Sequence, residues 1–243
     1  MKLSIIIRTY NRLEYTVRTI ISIDKNCGIS KDDYEIICID QNSSDGTKEW
    51  LSFNSVEGYY PIVPLLLSEN IGDGRGMQAG INIAKGEFIA QHDNDLELIT
   101  TDYFLKLGLL YEKLEEENFK VCAVSGSHVQ GIDLGAKPHK FAKLRYPNNF
   151  RLGENKESSG YLVSWVHGSF IFRKKLITEL KFNKGMCNSW CSTWWDRGYI
   201  NFNSLSINFW HIDSSKKGGE YVQGQAQKFP SYKYIGKNYR KFL

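Results

Sequence analysis

Leu3-Ser4-Ile5-Ile6-Ile7-Arg8 is a short run rich in β-branched residues, and Tyr10-Asn11 follows it as a turn. Beyond the turn, Leu13, Val17, Ile20 and Ile21 recur at helical spacing. Strand then helix is the unit that the next hundred residues repeat. Tyr34 to Ile39 reads as a second buried strand, and Asp40 to Gly46 as a polar loop whose Asp45 would cap a helix through Trp50 and Leu51. Ile62 to Leu67 is a third strand, which Pro64 places near an edge. Gly72 to Gly76 opens a helix through Ile81 and Ala84, and Glu87 to Gln91 is a fourth strand running into Asp93 to Asp95. Thr100 or Thr101 would cap a long helix to about Glu117, before a fifth strand from Val121 to Val124.

Strands alternating with helices predict an α/β fold, a mostly parallel twisted sheet flanked by helices. Ligands of such sheets bind at the carboxyl ends of the strands. The loops after Ile7, Ile39 and Gln91 all leave strand carboxyl ends, so they are expected to converge. From Gly126 to Gly160 the pattern weakens, and this segment reads as an excursion over the site. Tyr161 to Phe172, a helix near Lys174 to Leu180, a Trp-rich stretch and a last strand from Tyr199 to Trp210 follow. One domain is expected over 1–243, with a nucleotide-binding half at 1–125, an acceptor half at 126–212 and a basic aromatic tail at 213–243.

The composition narrows the class. An apolar content of 42% and a charged content of 24% describe a globular chain rather than a disordered one. A net charge of +4 is too mild to suggest a nucleic-acid partner. The apolar runs are too short to span a bilayer, and the N-terminal residues lack a signal-peptide pattern, so the expected location is the cytoplasm. The odd count of five cysteines fits buried thiols better than a disulfide framework. The tail from Lys228 to Leu243 interleaves Lys and Arg with Tyr232, Tyr234, Tyr239 and Phe242. Such a mixture is suited either to an anionic membrane surface, by peripheral contact, or to packing as a solvated basic tail.

His92-Asp93-Asn94-Asp95 carries the sharpest chemistry. Two carboxylates two residues apart, on a turn leaving a sheet, can hold Mn²⁺ or Mg²⁺ and leave positions open for phosphate oxygens. Asp-x-Asp is also common in ordinary polar turns, so its neighbours must decide. Those neighbours are Ser4-Ile5-Ile6-Ile7-Arg8-Thr9-Tyr10-Asn11, Ile39-Asp40-Gln41-Asn42-Ser43-Ser44-Asp45-Gly46-Thr47, Asn70-Ile71-Gly72, and Ala84-Lys85-Gly86-Glu87-Phe88-Ile89-Ala90.

In this order and spacing the segments resemble the family 2 inverting glycosyltransferases of the GT-A fold, closely over residues 3 to 110 and loosely over 160 to 212. The resemblance implies a metal-dependent hexosyltransferase of the type that serves surface polysaccharide or glycoconjugate synthesis. Its donor would be a nucleoside-diphosphate sugar, UDP foremost, and its acceptor a carbohydrate or a lipid-linked sugar. Thr9 and Tyr10 are implied to line the nucleoside pocket, Asp40 to accept a hydrogen bond from the base, Asp93 to sit near ribose and metal, and Asp95 to bind the metal directly. Trp165, in Trp165-Val166-His167-Gly168-Ser169, offers a flat face for the sugar, and His211 stands where many relatives carry a late metal-binding His.

The departures concern the same regions. Arg8 stands where proline is common, Gln41 where many members carry a second Asp, and Met77 and Gln78 where Arg and Asn are frequent. Arg75 is the expected substitute cation for the diphosphate. The Glu-Asp pair that usually supplies the general base is missing, so Asp196 becomes the candidate base by elimination between Glu179 and Asp213. That absence also leaves open a sugar-nucleotide-binding protein without turnover. A third reading, an NAD-dependent Rossmann enzyme, rests on Gly74-Arg75-Gly76-Met77-Gln78-Ala79, but the segment before it is a polar loop and not a strand.

Overall fold

The computed structural model describes residues 1–128, 160–163, 166, 168–178, 190–212, 216–217 and 220–221. β1 (Leu3–Thr9), β2 (Tyr34–Asp40), β3 (Ile62–Leu66) and β4 (Phe88–His92) lie parallel in the order β3-β2-β1-β4. β1 and β2 are apolar almost throughout because helices cover both of their faces, as parallel strands require. Alternate residues divide between two cores. Ile5, Ile7, Ile36 and Cys38 pack on one side with Leu13, Val17 and Ile20 of α1 (Leu13–Asn26) and Trp50 and Leu51 of α2 (Thr47–Glu57). Ile6, Ile37 and Ile39 pack on the other side with Met77 and Ile81 of α3 (Asp73–Ile83). Gly80 brings α3 close to the sheet, since a Cβ there would lie 2.7 Å from Ile39 Cδ1 and 2.8 Å from Ile6 Cγ2. β3 is the edge strand, as its proline predicts.

Beyond β4 the sheet becomes mixed. β5 (Leu96–Leu98), α4 (Tyr103–Glu116), β6 (Val121–His128), β7 (Gly160–Val163), β8 (Ser169–Arg173), α5 (Cys191–Asp196) and β9 (Ile200–His211) complete the described elements apart from a 3-10 turn and two two-residue strands. β8 runs antiparallel to both β4 and β6, β6 lies parallel to β9, and β7 and β5 pair antiparallel with β9. The ordered stretch expected over Tyr161 to Phe172 contains two strands, β7 and β8. β5 is too short to carry a period of its own, and it exists because Leu96 to Leu98 pairs with Phe209 to His211. That pairing sets His211 opposite Leu96, one residue from Asp95.

Two expected caps are corrected. The N-cap of α4 is Asp102, at φ 57°, and not Thr100 or Thr101. Thr100 instead accepts the Asn208 N–H at 2.7 Å and fastens the helix approach to β9. The N-cap of α2 is Gly46, at φ 93°, one residue after Asp45. Asp45 nevertheless serves two helix starts: Oδ1 accepts the Thr47 N–H at 3.2 Å and its hydroxyl at 2.5 Å, and Oδ2 accepts the Leu13 N–H at 2.9 Å.

Partial burial raises the Asp45 carboxyl, but the Thr47 hydroxyl and the Leu13 and Thr47 N–H groups outweigh it and hold the group below its ordinary value. A carboxylate lowered in this way contributes stability above its unfolded pKa and loses it as pH falls through the folded one. Asp45→Ala is expected to cost about 1–2 kcal/mol at neutral pH. The deficit against wild type should shrink below about pH 4. Asp45→Asn, whose amide oxygen still accepts, should cost less. Thermal melts of the three proteins at pH 7 and pH 3 check this; equal midpoints at pH 7 would show that these bonds contribute nothing.

Candidate active site

The carboxyl ends of β1, β2 and β4 do converge. Thr9 pairs in register with Asp40, and the Gln41 N–H donates to the Thr9 carbonyl at 3.0 Å. Asn11, at φ 51°, locks the first two loops together: its N–H donates to Ser43 Oγ at 2.9 Å, and its side-chain oxygen accepts the Ser44 N–H at 2.7 Å. Thr9 is buried and shares a 2.8 Å hydrogen bond with the Thr16 hydroxyl of α1. The Asn94 amide donates to Thr9 Oγ1 at 3.2 Å and to Thr16 Oγ1 at 3.4 Å. Asn94 thus pins the acidic turn to β1 and α1 from between its two carboxylates. On the other side, the Asp93 N–H donates to the Gly168 carbonyl at 3.2 Å. Gly168 sits at φ 69°, and a Cβ there would lie 3.1 Å from the Phe209 ring, so the approach to β8 needs a glycine.

Each predicted residue now has a place. Tyr10 is 48% exposed, so its ring is available to a ligand. Asp40 is fully buried; its Oδ2 accepts the Ser43 N–H at 3.0 Å, while its Oδ1 has no hydrogen-bond partner. Gln41 Oε1 beside it is likewise buried and without a hydrogen-bond partner. Two buried acceptors lacking donors are costly to a fold that gains nothing from them. Arg75 lies in the first turn of α3, exposed, and its Nε donates back to the Ile71 carbonyl at 2.8 Å. Trp165 and the tail Lys228 to Leu243 lie outside the described residues. Asp196 is the last residue of α5, and its side chain also lies outside them.

The acids meet cations that the sequence reading did not assign to them. Arg8 Nη2 donates to Asp93 Oδ1 at 3.0 Å, and Arg8 Nε lies 3.0 Å from Asp73 Oδ1 at the start of α3. Arg12 Nη1 donates to Asp95 Oδ2 at 2.7 Å, and His211 Nε2 lies 3.6 Å from Asp95 Oδ1. Among the described residues, three carboxylates thus face two guanidinium groups. Burial pushes the Asp93 carboxyl up to about 7; Arg8 opposes this, Asp95 and Asp73 add to it, and the Gln91 amide opposes it. Among the described residues, no three His, Cys, Asp or Glu side chains come together to hold an ion. Asp95 is buried, its Oδ2 on Arg12 and its Oδ1 facing His211, while Asp93 is partly exposed beside Arg8. His92 has a structural role: fully buried, its Nδ1 2.8 Å from Ser169 Oγ, it is pushed down to about 3 by burial and stays neutral.

Arg8 was visible only as a departure from a pattern, and Arg12 and Asp73 were not singled out. The signal that can find them is the match between two arginines leaving β1 and two acids leaving β4. The Rossmann reading fails on the fold. Gly74 and Gly76 lie inside α3, and the residue before that helix, Gly72, is reached from a loop and not from a strand.

The model for the family described as "Glycosyl transferase family 2" matches residues 4–180. An undecaprenyl-phosphate 4-deoxy-4-formamido-L-arabinose transferase of Yersinia enterocolitica is 34% identical over 96 residues, which is 40% of this chain and 29% of that protein. The chain therefore matches less than a third of the length of this curated relative. Among solved structures, GalNAc-T7 with UDP, GalNAc and Mn²⁺ superposes with a TM-score of 0.65 at 15% identity, over 99% of this chain and 49% of that one. The mannosyltransferase PcManGT of Pyrobaculum calidifontis, in complex with GDP-Man and Mn²⁺, superposes with a TM-score of 0.63 at 18% identity, over 99% and 69%. These likenesses establish the GT-A type of α/β fold, and with the family match over most of its length the chain belongs to glycosyl transferase family 2.

Proposed function

We propose that the chain transfers a sugar from a nucleoside diphosphate to an acceptor hydroxyl, with inversion, and that Mn²⁺ or Mg²⁺ binds at Asp93 and Asp95. The observation that carries the reading is the convergence of two buried acceptors without donors, on Asp40 and Gln41, with the acidic turn of Asp93 and Asp95, both at the carboxyl ends of parallel strands. A nucleoside diphosphate needs both, an acceptor for base N–H and a cation for its phosphates. In this reading 1–125 is the nucleotide half and 126–212 the acceptor half of one domain. Tyr10 lies against the base or ribose, and Thr9 supports the pocket by holding Asn94. Arg75 and Trp165 are the lesser contacts, to the diphosphate and the sugar. UDP is the first donor to test, because GalNAc-T7 holds it; PcManGT holds GDP-Man, which makes GDP the second. The undecaprenyl-phosphate relative supports a lipid-linked acceptor. Among the described residues no helix is long and apolar enough to cross a membrane.

The bound cation would act as a Lewis acid on the departing phosphate. Asp93, Asp95 and His211 would hold it, phosphate oxygens completing the shell. Asp196 would take the proton from the attacking hydroxyl, leaving the alcohol oxygen to enter opposite the diphosphate.

UDP or GDP at 100 times its dissociation constant should add about 2.7 kcal/mol. For a chain of this size that is a rise of roughly 5–10 °C in melting temperature. The rise should be larger with Mn²⁺ than with EDTA. Asp95→Ala should lose the metal-dependent part and His211→Ala only some of it, since water or phosphate can replace one imidazole. No metal-dependent shift with any common nucleotide would remove the reading.

Asp196→Asn should slow transfer by about 10²- to 10⁴-fold while donor and metal binding stay intact, because the amide cannot take a proton. Full activity in a folded Asp196→Asn protein would move the base elsewhere. Undiminished donor binding with no transfer by the wild type, against any acceptor, would favour the binding protein without turnover.

A further inference from the structure

We propose that Arg8 receives the donor's diphosphate, and that Asp73 holds the phosphate's place on Arg8 until the donor arrives. This rests on the nucleoside-diphosphate reading above and assigns the main phosphate contact to a residue on β1, ahead of Arg75.

Arg8 is the second-last residue of β1, and its side chain is 7% exposed. A guanidinium so buried needs anions on the sides it presents. Its two carboxylate neighbours differ in kind. Asp93 belongs to the acidic turn, which Asn94 and Gly168 fix on either side, and the Nη2 bond to it is aligned. Asp73 is 61% exposed and stands at the first position of α3. Its oxygen lies 3.0 Å from Nε but off the line of a hydrogen bond. Water screens such a pair, so it is cheaply exchanged.

What would replace Asp73 follows from the surroundings. The position is an anion's, at the N-terminus of an eleven-residue helix, on a buried guanidinium whose flat fork suits a phosphate. Gly72, at φ 82°, has no described atom within 4 Å of where a side chain would begin. Gly76, one turn on, would place a Cβ 3.6 Å from Gln41 and 3.7 Å from Arg8 Cδ, which ties this helix start to the buried acceptors of Asp40 and Gln41. A nucleotide with its base toward Asp40 and Gln41 therefore has its phosphates within the neighbourhood of Arg8. The Nη2–Asp93 bond stays in place during the exchange and keeps the fork oriented. Arg75, exposed and with its Nε engaged by the Ile71 carbonyl, stays the lesser contact, made through its Nη groups.

Calorimetric titration of the whole chain in Mn²⁺ tests this, using whichever of UDP or GDP the wild type binds and the matching nucleoside. Arg8→Met should weaken the diphosphate at least ~10-fold and leave the nucleoside unchanged. Arg8→Lys should fall between, keeping the charge and losing the fork. Asp73→Asn should tighten the diphosphate several-fold, and that gain should vanish in the Arg8→Met background, because both act through one guanidinium. A folded Arg8→Met protein that binds the diphosphate as the wild type does would overturn the proposal. So would an Asp73→Asn gain that persists without Arg8, which would reveal a diffuse field effect. If Arg8→Met does not fold, Asp73→Asn decides alone, and unchanged affinity overturns the placeholder. A wild type that binds neither nucleoside nor nucleotide would defeat the functional reading itself, and this inference with it.

Discussion

Carboxylates two residues apart on a largely buried turn cannot both stay ionised without cations close by. Here β1 and the loop that follows it supply them. Arg8 and Arg12 leave the carboxyl end of the same strand, one to Asp93 and one to Asp95, at 3.0 Å and 2.7 Å. The parallel pairing of β1 with β4 makes this possible, because it sets the ends of the two strands side by side. Everything else at the site hangs on that pairing. It fixes which way the acidic turn faces, and through Arg8 and Asp73 it couples the turn to the start of α3.

Much of the scaffold was legible because buried parallel strands are nearly continuous apolar runs, and β1, β2 and β4 are such runs. The edge position of β3 was legible from one proline. What was not legible depends on partners far away in sequence. β5 has three residues, too few for any period, and is a strand only because β9 returns to pair with it. The caps failed for a related reason. Asp45 looks like one helix's cap, but its second oxygen serves α1 from across the loop, which leaves Gly46 to turn into α2.

The candidate site shows the same division. Asp93 and Asp95 stand out in the sequence because two carboxylates on a turn leaving an apolar strand are a local pattern, whereas Asp40 is named only through family resemblance. His211 could be named only through family resemblance, and the β5–β9 register gives the physical reason for its position. The ion pairs could not be named, because Arg8 and Asp93 are 85 residues apart and Arg12 and Asp95 are 83 apart. A lone arginine after a strand reads as a surface charge until its acid is known. The departure at position 8 was the one visible trace. A residue that cannot stand in for proline must have a use for its side chain or a cost to bear.

Asn94 gives the arrangement its geometry. It lies between the two acids, and its amide is held by two hydroxyls, Thr9 and Thr16, which also bond each other. A residue tied inward at the middle of a turn frees its two neighbours to present their carboxylates on the other side. The turn then need not be rigid along its whole length. Three anchors suffice: the Asn94 amide, the Asp93 N–H on the Gly168 carbonyl, and the Asp95 carbonyl on the Ile212 N–H. Two of those anchors come from strands of the second half of the sheet, near the start of β8 and the end of β9. The acidic edge is therefore built jointly by the parallel half and the mixed half, and β8 lies between β4 and β6 so that both can reach it.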